Sequence, residues 1–247
     1  MATGRGRHVQ QELFRHGGRR AGAGRKPKGA RARAGHAPRP AIDETQALHV
    51  VLRVVREVGN LRRPEIYDAI RGSTVTAAKW GRIRLVHMSI QHDHVHLVVE
   101  ADDKQKLADG IRGFEISAAR NINRVLGING VRRRGRVFAD RYHLVISTTP
   151  TQTRSLVAYV LNNWRKHEED RGREARGWMC DPYSSGRSFG DWRELDGRRQ
   201  VTPDVPTSGP LMVSEPRSWM LTAGWKRAGT ISAYEVPSQG REHRRKP

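Results

Sequence analysis

From residue 47 onward, apolar side chains fall into two alternating rhythms. Leu48 to Val55 is apolar and β-branched, which predicts a strand. Pro64 suits the first turn of a helix that runs to about Lys79. Arg82–Ile90 and His94–Glu100 read as two further strands. Leu107, Ile111, Phe114, Ala118, Ile122 and Val125 then recur at gaps of three or four, the signature of a helix over about 104–126. Gly127 is positioned as its C-terminal cap. Val137–Ile146 reads as a fourth strand, and Pro150-Thr151 precedes a helix over about 152–168. The first six elements follow β-α-β-β-α-β, the split βαβ or ferredoxin-like order. The expected class is therefore α+β: a four-stranded antiparallel sheet, two helices on one face, and a further helix after the last strand. The other face is left open for a nucleic acid or a site. Beyond about residue 169 the pattern weakens. Gly, Ser, Pro and Arg become frequent, Trp178, Trp192, Trp219 and Trp225 are scattered, and a short helix is expected near 216–228.

Composition narrows the partners. The 247 residues hold 46 Lys and Arg against 25 Asp and Glu, a formal charge of +21. Each Lys or Arg placed near a phosphate releases condensed counterions, so a polyanion, nucleic acid above all, is the expected partner. Hydrophobic residues are 36% of the chain, enough for one modest core but not two. Residues 1–42 carry eleven Lys or Arg and a single acid, Glu12, among Gly, Ala and Pro. Such a segment buries too little apolar surface to offset its ordering entropy, and it reads as a disordered basic arm. Gly24-Arg25-Lys26-Pro27-Lys28-Gly29 within it could lie in a minor groove. No long apolar stretch or leader-like segment is seen, so a cytoplasmic protein without a membrane partner is expected. Cys180 is the sole cysteine, which excludes an intrachain disulfide and a thiolate zinc site.

Candidate chemistry sits on the third strand and the last core helix. Side chains of a strand alternate, so His94 and His96 share one face, with Cα atoms about 7 Å apart, close enough for both imidazoles to reach one ion. Imidazole suits divalent transition metals and can serve Mg²⁺ or Mn²⁺ when phosphate oxygens complete the shell. His92 has the same parity and is either a third ligand or an edge residue. Glu100 lies too far along the strand to join the site. On the helix, Leu156, Val157, Val160, Leu161 and Trp164 form an apolar arc, with Tyr159 and Asn163 on its border and Lys166 near it. A tyrosine oxygen can attack a phosphodiester if a metal polarises the phosphate, and Asn163 offers a further oxygen ligand. Tyr142, on the fourth strand, is the competing nucleophile. Arg132, Arg133, Arg134, Arg136 and Arg141 read as phosphate contacts, or as a solvated loop.

The combination of His94-Val95-His96-Leu97, the segment Gly135-Arg136-Val137-Phe138-Ala139-Asp140-Arg141-Tyr142 and the spacing Tyr159-x-x-x-Asn163 resembles the HUH-type single-tyrosine transposases, and among them the REP-associated branch. The resemblance spans about residues 47–170. It implies metal-dependent cutting and rejoining of single-stranded or hairpin DNA through a 5′-phosphotyrosine intermediate, with Mg²⁺ or Mn²⁺ as cofactor. In those terms His94, His96 and Asn163 match the metal ligands, Tyr159 matches the nucleophile, and Lys166 with the five arginines would contact DNA. Asp93 replaces a common asparagine, Trp164 a common proline and Phe138 a frequent tryptophan. The expected organisation is a basic arm (1–42), a catalytic domain (43–170) and a partly irregular extension (171–247), acting as monomer or homodimer. Three rivals stand beside it. A replication initiator would carry paired tyrosines on the last helix, and a relaxase a third histidine in the cluster. A DNA-binding protein could keep the fold without catalysis. A two-histidine phosphodiesterase needs repeated His-x-Thr/Ser motifs, which are missing.

Overall fold

The computed structural model describes residues 39–173, 175–195 and 207–237. The basic arm therefore lies outside the described residues as far as position 38. Its last part is packed: the Arg39 guanidinium stacks 3.4 Å above the Tyr142 ring and donates to the Tyr142 carbonyl at 2.9 Å, and Ile42 joins the core.

The elements are β1 (Ala47–Arg53), α1 (Pro64–Trp80), β2 (Arg84–Ile90), β3 (His94–Glu100), α2 (Lys104–Val125), β4 (His143–Ser147), α3 (Pro150–Lys166) and a single turn, α4 (Trp219–Thr222). Local chemistry sets their limits. Pro64 opens α1, and Gly81, left-handed at φ 62°, closes it. The Asp103 carboxylate accepts from the amides of Gln105 and Lys106 at the start of α2. The Thr149 hydroxyl accepts from Gln152 N ahead of Pro150 at the start of α3. The four strands pair antiparallel in the order β2-β3-β1-β4, the arrangement expected of the split βαβ unit.

Three expectations are corrected. The fourth strand is shorter than Val137–Ile146: the chain bonds to the end of β1 at Val137 and Ala139, then loops out and pairs again from His143. Gly127 is not needed for a left-handed cap; α2 ends on Leu126. A Cβ on Gly127 would meet the Val131 carbonyl oxygen at 2.5 Å, so the residue serves a close backbone approach. The second sheet face is only half open. α1 and α2 pack on one face around Leu48, Val50, Leu52, Leu97, Val99, Ile111 and Phe114. On the other, α3 and the C-terminal extension build a second apolar cluster over Ala47, Val86 and Val98, including Trp192 and Trp225. The apolar content thus fills two layers around one sheet rather than a single core. Toward β4 that second face stays bare, with Val145 47% exposed.

The extension also straps α3 to its own sheet. Asn162 Nδ2 donates to the Ser232 carbonyl at 2.8 Å and Arg165 Nε to the Ala233 carbonyl at 2.7 Å, while Arg154 pairs with Glu235. Buried Asp181 accepts both terminal nitrogens of Arg62, each at 2.9 Å, tying the extension to the segment before α1. Glu100 accepts the amides of Arg217 and Ser218 at the foot of α4, so it serves the extension. No described helix is long and apolar enough to cross a membrane.

Candidate active site

Register decides what faces what. β1 aligns Val51 with His96 and His49 with Val98, so His49 lies on the same sheet face as the two β3 histidines. The three imidazoles form a chain. His49 Nε2 lies 2.9 Å from His96 Nδ1, and His96 Nε2 lies 2.9 Å from His94 Nε2. At the outer end, His94 Nδ1 is 2.6 Å from Asp93 Oδ1. A carboxylate only accepts, so His94 carries its proton on Nδ1 and turns the Nε2 lone pair toward His96. If His96 donates from Nδ1 to His49, two lone pairs converge, and one cation can take both. If instead a proton sits between the two Nε2 atoms, the chain is satisfied without metal.

Burial keeps two of the rings, His96 and His49, neutral. His96 is held well below the ordinary imidazole range, chiefly by burial and then by His49 and its other cationic neighbours. Burial likewise lowers His49 to about 4. Neutral imidazole is the metal-binding form.

α3 lays its border residues against this chain. The Tyr159 ring sits edge-on 5.3 Å from the His96 ring and 5.9 Å from His49. Lys166 Nζ is 5.0 Å from the Tyr159 ring centre. Eight residues on from Tyr159, His167 lies 6.2 Å from His94. Asn163 falls midway between Tyr159 and His167 on the same helix face and is fully buried. Neither its Oδ1 nor its Nδ2 has a hydrogen-bond partner among the described residues. A buried amide left unpaired is costly, so this oxygen is suited to a ligand. Among the described residues no three His, Cys, Asp or Glu side chains form a ligand cluster. Two imidazoles and an amide are the groups on this face that could hold a cation, with phosphate oxygens completing the shell. Burial pushes the Tyr159 phenol up, so its phenolate needs a nearby positive charge.

Tyr142 stands elsewhere. It packs with Leu144 and Ile146 against the α1/α2 layer, across the sheet from the histidines, with Arg39 on its ring. His92 is exposed in the turn between β2 and β3. The predicted arginines divide. Arg133 donates to Asn123 Oδ1 at 2.8 Å, and Arg136 donates to the Ala139 carbonyl, so both brace their own loop. Arg132, Arg134 and Arg141 are exposed.

Residue-pattern reasoning missed His49, Asp93 and His167. His49 is the one polar side chain before Arg53 in an otherwise apolar β1, a signal of sorts, but only strand pairing shows whose face it shares. His167 could have been found as the i+4 neighbour of Asn163.

Residues 44–163 match the family model described as transposase, IS200 like. No protein of curated function matches the sequence. Two solved structures are similar at 13% identity each: a REP-associated tyrosine transposase bound to a REP hairpin (TM-score 0.44, covering 62% of this chain and 82% of that one) and a transposase-like protein of Deinococcus radiodurans R1 (TM-score 0.33, covering 57% and 98%).

Proposed function

We propose that the chain, whose residues 44–163 match the family model of IS200-like transposases, works as one of them: it cuts and rejoins single-stranded DNA, with Tyr159 as nucleophile. One geometric fact carries the reading: the Nε2 atoms of His94 and His96 converge to 2.9 Å beside the Tyr159 ring, on the face where Asn163 keeps an unpaired amide. His94, His96 and the Asn163 oxygen would hold a divalent cation, Mg²⁺ or Mn²⁺, which when bound polarises the scissile phosphate.

The protein's own groups do the rest. Asp93 and His49 orient the two imidazoles from behind, as partners of ligating histidines commonly do. α3 fixes the phenol beside them, and the extension holds α3 on its own sheet, which favours a site completed within one chain. Lys166 stabilises phenolate charge. The Tyr159 oxygen bonds to phosphorus as the bond to the 3′-oxygen breaks, giving a 5′-phosphotyrosine and a free 3′-hydroxyl. The proton lost by the phenol equals the one gained by the leaving oxygen, so the step is proton-neutral, and rejoining is its reverse. Arg132, Arg134 and Arg141 track phosphates, together with the bare strip of sheet beside Val51, Arg53 and His143. The catalytic unit spans 43–170. The REP-associated branch and a hairpin substrate are what the resemblance of the His94–Leu97, Gly135–Tyr142 and Tyr159–Asn163 segments implies.

The test is a denaturing gel of protein incubated with end-labelled single-stranded hairpin DNA and Mn²⁺. A covalent adduct is expected, retained by Tyr142→Phe and lost by Tyr159→Phe. An adduct that survives Tyr159→Phe overturns the assignment.

A further inference from the structure

The loop between α2 and β4 carries a feature that the cleavage site does not use. Asn129 and Gly130 are both left-handed, at φ 51° and 76°. Ile128 and Val131 exchange both backbone hydrogen bonds, at 3.0 and 2.9 Å. This is a two-residue hairpin turn of the mirror-image type, which Asn-Gly favours. Its two flanking side chains are left bare: Ile128 is 75% exposed and Val131 68%.

The turn is stiff at its base. Arg133 N donates to the Asn123 carbonyl at 2.9 Å. The Asn123 side chain, buried at the end of α2, donates to the Gly135 carbonyl at 3.0 Å and accepts from Arg133. A rigid tip with two bare aliphatic side chains needs an occupant, because lone exposed aliphatics are ordinary but an adjacent pair on a braced turn is not. Charge names the occupant. Residues 124–139 include Arg124, Arg132, Arg133, Arg134 and Arg136 and no acid. Arg124, Arg132 and Arg134 are exposed around the tip. A second copy would bring the same positive charge against itself. Duplex DNA supplies phosphates for the arginines and a stacked, apolar interior for the aliphatics.

We propose that the Ile128–Val131 tip is a wedge that enters duplex DNA and unstacks a base step, while Arg132 and Arg134 hold the flanking phosphates. Proteins that kink duplexes use apolar wedges among basic residues in this way. The proposal rests on the DNA-processing reading but not on Tyr159. In the context of that reading, the wedge would open paired DNA next to the strand to be cut.

The test is permanganate footprinting of unpaired thymines on a short duplex rich in TA steps, which deform readily. Wild type should expose thymines within its binding site. The double variant Ile128→Ser, Val131→Ser should lose that reactivity while keeping its affinity, its melting temperature and its adduct with single-stranded hairpin DNA. Arg132→Ala with Arg134→Ala should weaken duplex binding and flatten the log–log salt dependence by about 0.9 for each phosphate that is no longer neutralised. Unchanged thymine reactivity in the serine variant overturns the wedge, as does a wild type that does not bind duplex. Self-association in sedimentation that the serine variant abolishes assigns the tip to a second copy and also overturns it. Loss of the hairpin adduct in wild type would instead remove the cleavage reading and leave the footprint to stand or fall alone.

Discussion

Asn163→Leu separates what the site costs the fold from what it does. The wild-type side chain is fully buried with both amide atoms unpaired. An unsatisfied buried polar group costs about 1–3 kcal/mol. Leucine has nearly the same volume, removes that penalty and packs against the apolar layer around Val160 and Trp164; imperfect shape returns up to about 1.5 kcal/mol. With metal chelated, the middle of these ranges makes the variant more stable than wild type by about 1–2 kcal/mol, a rise of about 2–8 °C in melting temperature for a chain of this size. Adding Mn²⁺ should narrow the gap. A cation at a hundred times its dissociation constant stabilises the wild type by about 2.7 kcal/mol, and the variant, lacking one donor, gains less. Melting curves in EDTA and over a Mn²⁺ series read both effects. A variant that melts lower than wild type in EDTA refutes the reasoning, because the amide would then be bonded in the fold and not held in reserve for a ligand. Such a trade of stability for function is common at active sites.

Three other outcomes are expected. His49→Phe keeps the ring volume but cannot orient His96, so Mn²⁺ affinity measured by electron paramagnetic resonance should fall about 10–100-fold, with adduct formation recovered at higher Mn²⁺; unchanged affinity rules out an orienting role. His87, with Nδ1 buried and unpartnered and its pKa lowered to about 4 by burial, binds a proton more readily in the unfolded chain. Stability should thus fall as pH drops from about 6.5 to 4, by up to about 3 kcal/mol from this residue, and His87→Phe should flatten that limb of a denaturation series against pH. Glu100→Ala strips the acceptor from the amides of Arg217 and Ser218 and leaves Arg84, 3.6 Å away, uncompensated. A loss of about 2–4 kcal/mol, with early proteolysis near α4, is expected, and intact resistance to protease would show that the extension is held by its apolar packing alone.

Much of the fold is legible in one dimension because periodicity is a local property. The spacing from Leu107 to Val125 can only be helical, and the alternation from His94 to Glu100 only a strand, since side-chain direction follows backbone geometry. The order of those elements then points to the split βαβ sheet. The same local logic brings His94 and His96 to one face, and Tyr159 and Asn163 to one helix border. It fails where the backbone leaves regular geometry: Val137–Tyr142 looks strand-like, yet the chain bulges out before His143, and the Asn129-Gly130 turn is masked inside a run dominated by charge.

What one dimension cannot hold is the relation between elements distant along the chain. His49 becomes a neighbour of His96 only through the antiparallel register of β1 and β3, because a one-residue slip would turn it to the opposite face. The spacing to Asn163 favours Tyr159 over Tyr142, and the sheet itself separates the two by putting one on each side. The described residues beyond 170, unreadable by period, prove to cover part of a face expected to be bare and to clamp α3, because irregular chain is organised by burial and side-chain partners and leaves no rhythm behind. Composition and spacing thus determined the sheet, its helices and the types of group at the site; tertiary packing alone decided which histidines meet, which tyrosine joins them and how much of the face stays open to DNA.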